Sequence, residues 1–225
     1  MFMNSIQKMI LYDINAEHQI HNIMSKYSPV NLTKRRNELV QEFLDFNQTD
    51  WLVMVDADMV IPHTFIETML SSANGDPASD EYTAIISGLA FTPQGDSIYP
   101  VMCEKHDDDP EDQLWLIEDY PRNSLIRVDG VGASCLMLHR PAMLRMLDEY
   151  GDRAFPWFEE IKHNGVVYGE DLGLSIKASA IGLPIYVNTA AKVGHYKPLV
   201  LNETMYNRQL LTIPAGHDHI RNDGV

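Results

Sequence analysis

The 225-residue chain reads as an α/β domain built on a mixed, mostly parallel sheet flanked by helices. Three observations predict this. Trp51-Leu52-Val53-Met54-Val55 is an unbroken apolar run with the length and β-branched content of a strand buried on both faces. Amphipathic helical patterns lie on either side of it, over Leu32–Phe46 and again after Pro62. Two carboxylates, Asp56 and Asp58, stand at its C-terminal end, the edge where open α/β sheets bind ligands.

Taken in order, the chain opens on an amphipathic helix, with Phe2, Ile6, Met9 and Ile10 at helical spacing up to about Asn15. Opening on a helix is unusual for this class, which normally starts with a strand. His18–Ser25 is a weak strand candidate. Asn31 is the expected N-cap of the next helix, whose apolar stripe is Leu39, Val40, Phe43 and Leu44. After the central strand, Pro62 suits a helical first turn, with Phe65, Ile66, Met69 and Leu70 facing inward. Thr83–Ser87 reads as a short buried strand, and from Gly88 to Asp112 the pattern dissolves into loop residues ending in an acidic run. Leu114–Ile117 and Ile126–Val131 read as partners around a turn at Pro121–Ser124, followed by an apolar run at Ala133–Leu138 and a helix over Pro141–Tyr150. A helix from about Leu172 to Ile181 stops at Gly182 and Pro184, and Ile185–Val187 is the last strand. Beyond Pro198 the chain has little periodicity apart from Leu210, Leu211 and Ile213.

A net charge of −15 argues against general binding of nucleic acid or an anionic membrane surface, both of which reward Lys and Arg. No apolar run approaches the roughly 20 residues of a membrane span, and the first residues lack the basic and apolar regions of a secretory leader. Cys103 and Cys135 form no Cys-x-x-Cys pair and read as buried free thiols in a reducing compartment, a disulfide between them being the alternative.

Asp56 and Asp58 repel one another when ionised, and a hard divalent cation can hold both charged while leaving positions for phosphate oxygens. In an extended chain residues two apart share a side, so both carboxylates are expected to face one point with Ala57 turned away. The plainer alternative is a helix cap and a solvated acid. Lys34, Arg35 and Arg36 open a helix against its macrodipole, as either a solvated basic turn or a pocket for an anionic phosphate or nucleotide. Gly130-Val131-Gly132 permits close approach by a ligand or by backbone. Phe155, Trp157 and Phe158 suit either a sugar-binding face or ordinary core. Glu170-Asp171 at a helix start either complements the dipole or offers a general base to a pocket.

In this order the pieces resemble a GT-A-fold (Rossmann-like) glycosyltransferase of family 2, and the small related enzymes of bacteria and their phages. The resemblance runs from Leu32 to Lys197, although the chain begins at a helix where the family begins at a strand. It implies a single catalytic domain over 1–198, lacking that first strand, with 199–225 as a tail. It implies that Asp56 and Asp58 form the Asp-x-Asp motif binding Mn²⁺ or Mg²⁺ and the donor diphosphate, with His195 as a third metal ligand. Arg36, Asn37, Asp56, Gly130 and Gly132 would surround a UDP- or GDP-sugar. Asp171, with Glu170 second, would be the catalytic base. The acceptor stays open among glycan, protein and lipid, and the expected location is the cytoplasm, that of the host if the protein is phage-encoded. A non-catalytic nucleotide- or carbohydrate-binding protein on the same scaffold is the alternative. A nucleotidyltransferase is weaker, since it would need a glycine-rich phosphate loop near the N-terminus.

Overall fold

The computed structural model describes residues 1–16, 20–25, 31–94, 97–106, 109 and 113–197. Helices α1 (Phe2–Asn15) and α2 (Leu32–Phe46) lead into β1 (Trp51–Val55), β2 (Met59–Val60) and α3 (Phe65–Leu70). Seven strands follow: β3 (Ile85–Leu89), β4 (Phe91–Gln94), β5 (Ser97–Pro100), β6 (Met102–Glu104), β7 (Trp115–Leu116), β8 (Leu125–Val128) and β9 (Gly130–Val131). Next come β10 (Cys135–His139), α4 (Arg140–Tyr150), the hairpin β11 (Ile161–His163) and β12 (Val166–Tyr168), α5 (Glu170–Ala180), β13 (Ile185–Lys192) and β14 (Gly194–His195).

The central sheet has five strands in the order β1-β10-β3-β13-β8. The expectation of a mostly parallel sheet fails here. Only β3 and β13 run parallel, while β1/β10, β10/β3 and β13/β8 are antiparallel. The sequence pattern misleads because a strand buried on both faces is apolar throughout whichever way its neighbours run. Both faces are indeed covered. Leu52 and Met54 of β1, with Leu136 and Leu138 of β10, face a core completed by Val40 and Phe43 of α2, Met143 and Met146 of α4 and Leu174 of α5. Cys135 and Met137 face the opposite way, onto Met9 of α1 and Phe65, Ile66 and Met69 of α3. Each fully buried Leu, Ile, Met or Phe in these two layers contributes roughly 1.5–3 kcal/mol.

Helix α2 begins as expected, with the Asn31 side chain accepting from the Lys34 backbone N–H at 2.8 Å. Its buried face extends one turn further toward the N-terminus than the apolar stripe, through Arg36 and Asn37. The strand expected at Thr83–Ser87 lies two residues later, and the last expected strand continues from Ile185 to Lys192. The segment from Gly88 is not all loop. It forms the hairpin β4/β5 and the central strand of a small sheet, β7-β6-β9. Leu114–Ile117 and Ile126–Val131 are not partners, because β7 pairs with β6 whereas β8 pairs with β13. Residues 20–25 form no regular strand; 18–19, most of the acidic run at 107–112 and the whole of 198–225, including the tail and its Leu210 patch, lie outside the described residues. Trp157 and Phe158 are fully buried core, which removes them as a sugar-binding face. Cys103 and Cys135 are buried free thiols. Among the described residues no helix is long and apolar enough to cross a membrane.

Candidate active site

At the end of β1 the chain leaves the extended conformation. Asp56 still continues the ladder, its N–H donating to the Ser134 carbonyl at 2.9 Å, but Met59 N–H then closes a turn onto the Asp56 carbonyl at 3.1 Å. The turn sends the two carboxylates different ways, so they do not share one point as alternation along a strand would require. Both oxygens of Asp56 accept from Arg36 Nη2, at 3.1 and 2.8 Å. Asp58 instead faces the end of the chain: its Oδ2 lies 3.1 Å from His195 Nε2 and 2.7 Å from Lys197 Nζ.

His195 arrives through the two-stranded ladder of β2 and β14, in which it pairs with Met59, one residue beyond Asp58. The Tyr196 N–H donates to the Asp58 carbonyl at 2.7 Å and fastens the two segments together. His195 Nδ1 is 2.9 Å from the Phe91 carbonyl. A carbonyl can only accept, so Nδ1 carries hydrogen, and Nε2 is the atom presented to Asp58, as a donor in the charged ring or a lone pair in the neutral one. A ring fixed by a carbonyl at one nitrogen, with the other free to ligate, is the arrangement of metal-binding histidines. Burial alone would raise the Asp58 carboxyl, but hydrogen bonds from Lys197 and His195 and their positive charge outweigh it and hold the carboxyl below its ordinary value.

Arg36 is 5% exposed and bridges two acidic motifs 114 residues apart in sequence, Asp56 through Nη2 and Glu170 through Nη1 at 2.6 Å. Among the described residues its Nε has no hydrogen-bond partner. The structure thus places Arg36 as a clamp between carboxylates, with Phe158 beneath the guanidinium at 5.7 Å. Asn37 is equally committed: its amide donates to the Phe158 carbonyl at 2.8 Å, and its oxygen accepts from the N–H groups of Trp157 and Phe158. It ties the aromatic segment to α2.

Glu170 and Asp171 form the first turn of α5, where the helix dipole favours negative charge. Asp171 Oδ1 accepts from the Leu172 N–H at 2.8 Å, while Oδ2 has no hydrogen-bond partner among the described residues. Gly132 lies beside this acid but makes room for Val101: a Cβ there would fall at ordinary contact distance, 3.7 Å, from Asp171 Oδ2 and only 2.3 Å from Val101 Cγ1. Gly130, in β9, packs against Leu172 and Leu114, which a Cβ there would meet at 3.0 and 3.2 Å. Burial pushes the Cys103 thiol up to about 11, with the Asp171 charge adding to it, and the Cys135 thiol rises by burial and then by Asp56.

The structure therefore gathers Asp58 and His195, and separately gathers Arg36, Asp56 and Glu170 with Asp171 alongside on α5. Among the described residues no three His, Cys, Asp or Glu side chains converge as a ready metal centre. Asp58 and His195 are nonetheless a fitting pair for a divalent cation, one hard oxygen and one oriented imidazole. Lys197 is the residue that sequence reasoning missed. Its signal was its spacing, two residues after His195 in an extended segment, which puts both on one side.

Neither protein-family models nor curated protein sequences give a match to this chain. Among solved structures it is similar to A197 from STIV, with a TM-score of 0.50 and 15% identity over 85% of this chain and 79% of that one. It is also similar to GalNAc-T7, solved with UDP, GalNAc and Mn²⁺, with a TM-score of 0.51 and 13% identity over 87% of this chain and 36% of that one. At such identities the likeness is one of fold, and the chain has a GT-A-like fold.

Proposed function

We propose that the protein is a glycosyltransferase of the family 2 kind, a single catalytic domain over 1–198 that moves a sugar from a UDP- or GDP-sugar to an acceptor hydroxyl. The observation that carries this is the pairing of Asp58 with His195 at the ligand-binding end of β1 in a GT-A-like fold. In this reading Asp58 and His195 hold Mn²⁺ or Mg²⁺. The bound ion supplies Lewis-acid neutralisation of the diphosphate leaving group.

The remaining chemistry falls to the chain's own groups. Asp171 Oδ2, without a hydrogen-bond partner among the described residues and backed by a helix N-terminus, takes the proton of the acceptor hydroxyl. The new C–O bond forms at the anomeric carbon as the bond to the β-phosphate oxygen breaks, and the nucleoside diphosphate leaves. Glu170, held by Arg36, fixes the start of α5 rather than moving protons. Asp56, held by the same guanidinium, shapes the turn that aims Asp58. Two buried free thiols suit a reducing cytoplasm.

Thermal-shift titration with UDP and GDP, with and without Mn²⁺, tests this directly. Stabilisation that needs both components and vanishes in Asp58→Ala supports the reading, and nucleotide release from a UDP- and GDP-sugar panel then establishes transfer or hydrolysis. Indifference to every nucleotide overturns it.

A further inference from the structure

One carboxylate oxygen, Asp58 Oδ2, lies against two side chains, an imidazole and an ammonium. His195 Nε2 approaches it to 3.1 Å and Lys197 Nζ to 2.7 Å. This inference rests on the glycosyltransferase reading, in which the same oxygen is a metal ligand. A divalent ion seated on an oxygen at about 2.0–2.6 Å competes for it with an ammonium, since the two positive charges would stand only a few ångströms apart. Arrival of the metal therefore favours departure of Lys197. Lys197 is able to leave: its side chain is 42% exposed, on a flexible four-carbon stem.

Among the described residues the ammonium makes no ion pair besides that with Asp58. Asp56 and Glu170 are already held by Arg36. The anion that can receive the displaced Lys197 is the one that comes with the metal, the donor diphosphate. We propose that Lys197 is the resident counter-cation of Asp58 and exchanges places with the divalent metal, moving onto the diphosphate as it does so. Metal and nucleoside diphosphate therefore bind as a coupled pair, each tightening the other, with Lys197 as the coupling element. In the absence of nucleotide Lys197 defends the seat, so metal alone binds poorly.

Mn²⁺ binding to the full chain, followed by the loss of the free-ion electron paramagnetic resonance signal and corrected for Mn²⁺ held by free nucleotide, tests the exchange. The probes are Mn²⁺ alone, UDP or GDP alone, and the two together. Wild type should bind Mn²⁺ at least about five-fold more tightly with nucleotide than without. Lys197→Met should bind Mn²⁺ alone more tightly than wild type and lose most of the nucleotide-dependent gain. Lys197→Arg, which keeps the charge, should retain weak binding of metal alone. If Lys197→Met and Lys197→Gln both bind Mn²⁺ alone no more tightly than wild type while metal and nucleotide still bind, the exchange is wrong and the glycosyltransferase reading stands. Wild type that binds neither metal nor nucleotide overturns both.

Discussion

Arg36 and Asp56 form a forked contact from one nitrogen to both carboxylate oxygens, at 3.1 and 2.8 Å, with the arginine side chain only 6% exposed. The other nitrogen of the same fork reaches Glu170, so one buried side chain fixes the end of β1 to the start of α5. Removing it would leave two carboxylates, Asp56 and Glu170, without their shared partner. Breaking a fully buried pair costs about 3–5 kcal/mol, and the partial exposure of both acids lowers that to roughly 2–4 kcal/mol for Arg36→Met. Arg36→Lys should recover only part of it, since a single ammonium cannot span both carboxylates as the fork does. Urea unfolding of both variants measures this; equal stability of Arg36→Met and wild type would remove the clamp.

His139 at the opposite end of the sheet sets an acid limit on stability. It is 4% exposed, and its Nδ1 lies 3.0 Å from the Tyr82 hydroxyl. Burial raises Tyr82 to about 12, so the phenol keeps its proton and donates it to a neutral ring. Burial lowers the His139 pKa from its ordinary 6.5, with Asp50 partly opposing. Between the lowered value and 6.5 the unfolded chain binds the extra proton and the folded one does not, so stability is complete above that window and is lost as pH falls through it. The free energy of unfolding should decline from pH 7.5 to 5.5 in wild type, and the advantage of wild type over His139→Gln should shrink across that interval. Parallel pH profiles for the two proteins would contradict this assignment.

Gly132→Ala should destabilise by roughly 1–3 kcal/mol, the usual cost of forcing an extra carbon into packed space. The added Cβ would meet Val101 Cγ1 at 2.3 Å, and a β-branched side chain has little rotamer freedom with which to withdraw. Val101→Ala should relieve most of the loss, giving a strongly favourable coupling in a double-mutant cycle measured by denaturant midpoint. Additive effects would place the strain elsewhere.

What the sequence made legible was local. The bounds of α1 and α2, the Asn31 cap and the strand Trp51–Val55 follow from periodicity and capping chemistry that a short stretch carries in itself. Strand direction did not follow, because β3, buried throughout, pairs antiparallel with β10 on one side and parallel with β13 on the other, and its composition signals neither. The strands β4 to β7 are two to four residues long, too short for alternation to register. The Asn164-Gly165 turn between β11 and β12 does carry a hairpin signal, and both residues take positive φ, but its flanking strands have only three residues each. At the site, the residue types were readable and their pairing was not. Arg36 is legible as a cation at the start of a helix, but its two carboxylate partners come from 20 and 134 residues away, which no local pattern reveals. Asp56 and Asp58 look like twins until the turn after Val55 separates them.

The proposed transfer reaction divides labour between the two acids at the start of α5. Glu170 is spent on Arg36 at 2.6 Å, whereas Asp171 keeps Oδ2 without a hydrogen-bond partner among the described residues. A general base contributes typically 10²–10⁴-fold, so Asp171→Asn should lower transfer by about that factor. Binding of nucleotide and Mn²⁺ should be unchanged, because Asp171 touches neither Asp58 nor His195. Glu170→Gln should act differently, lowering unfolding stability by breaking one arm of the clamp and lowering transfer by less than Asp171→Asn does. The comparison requires both constants for each variant: nucleotide affinity by titration and the single-turnover rate at saturating donor. Transfer that survives Asp171→Asn but is abolished by Glu170→Gln would reverse the assignment and make the clamped glutamate the base.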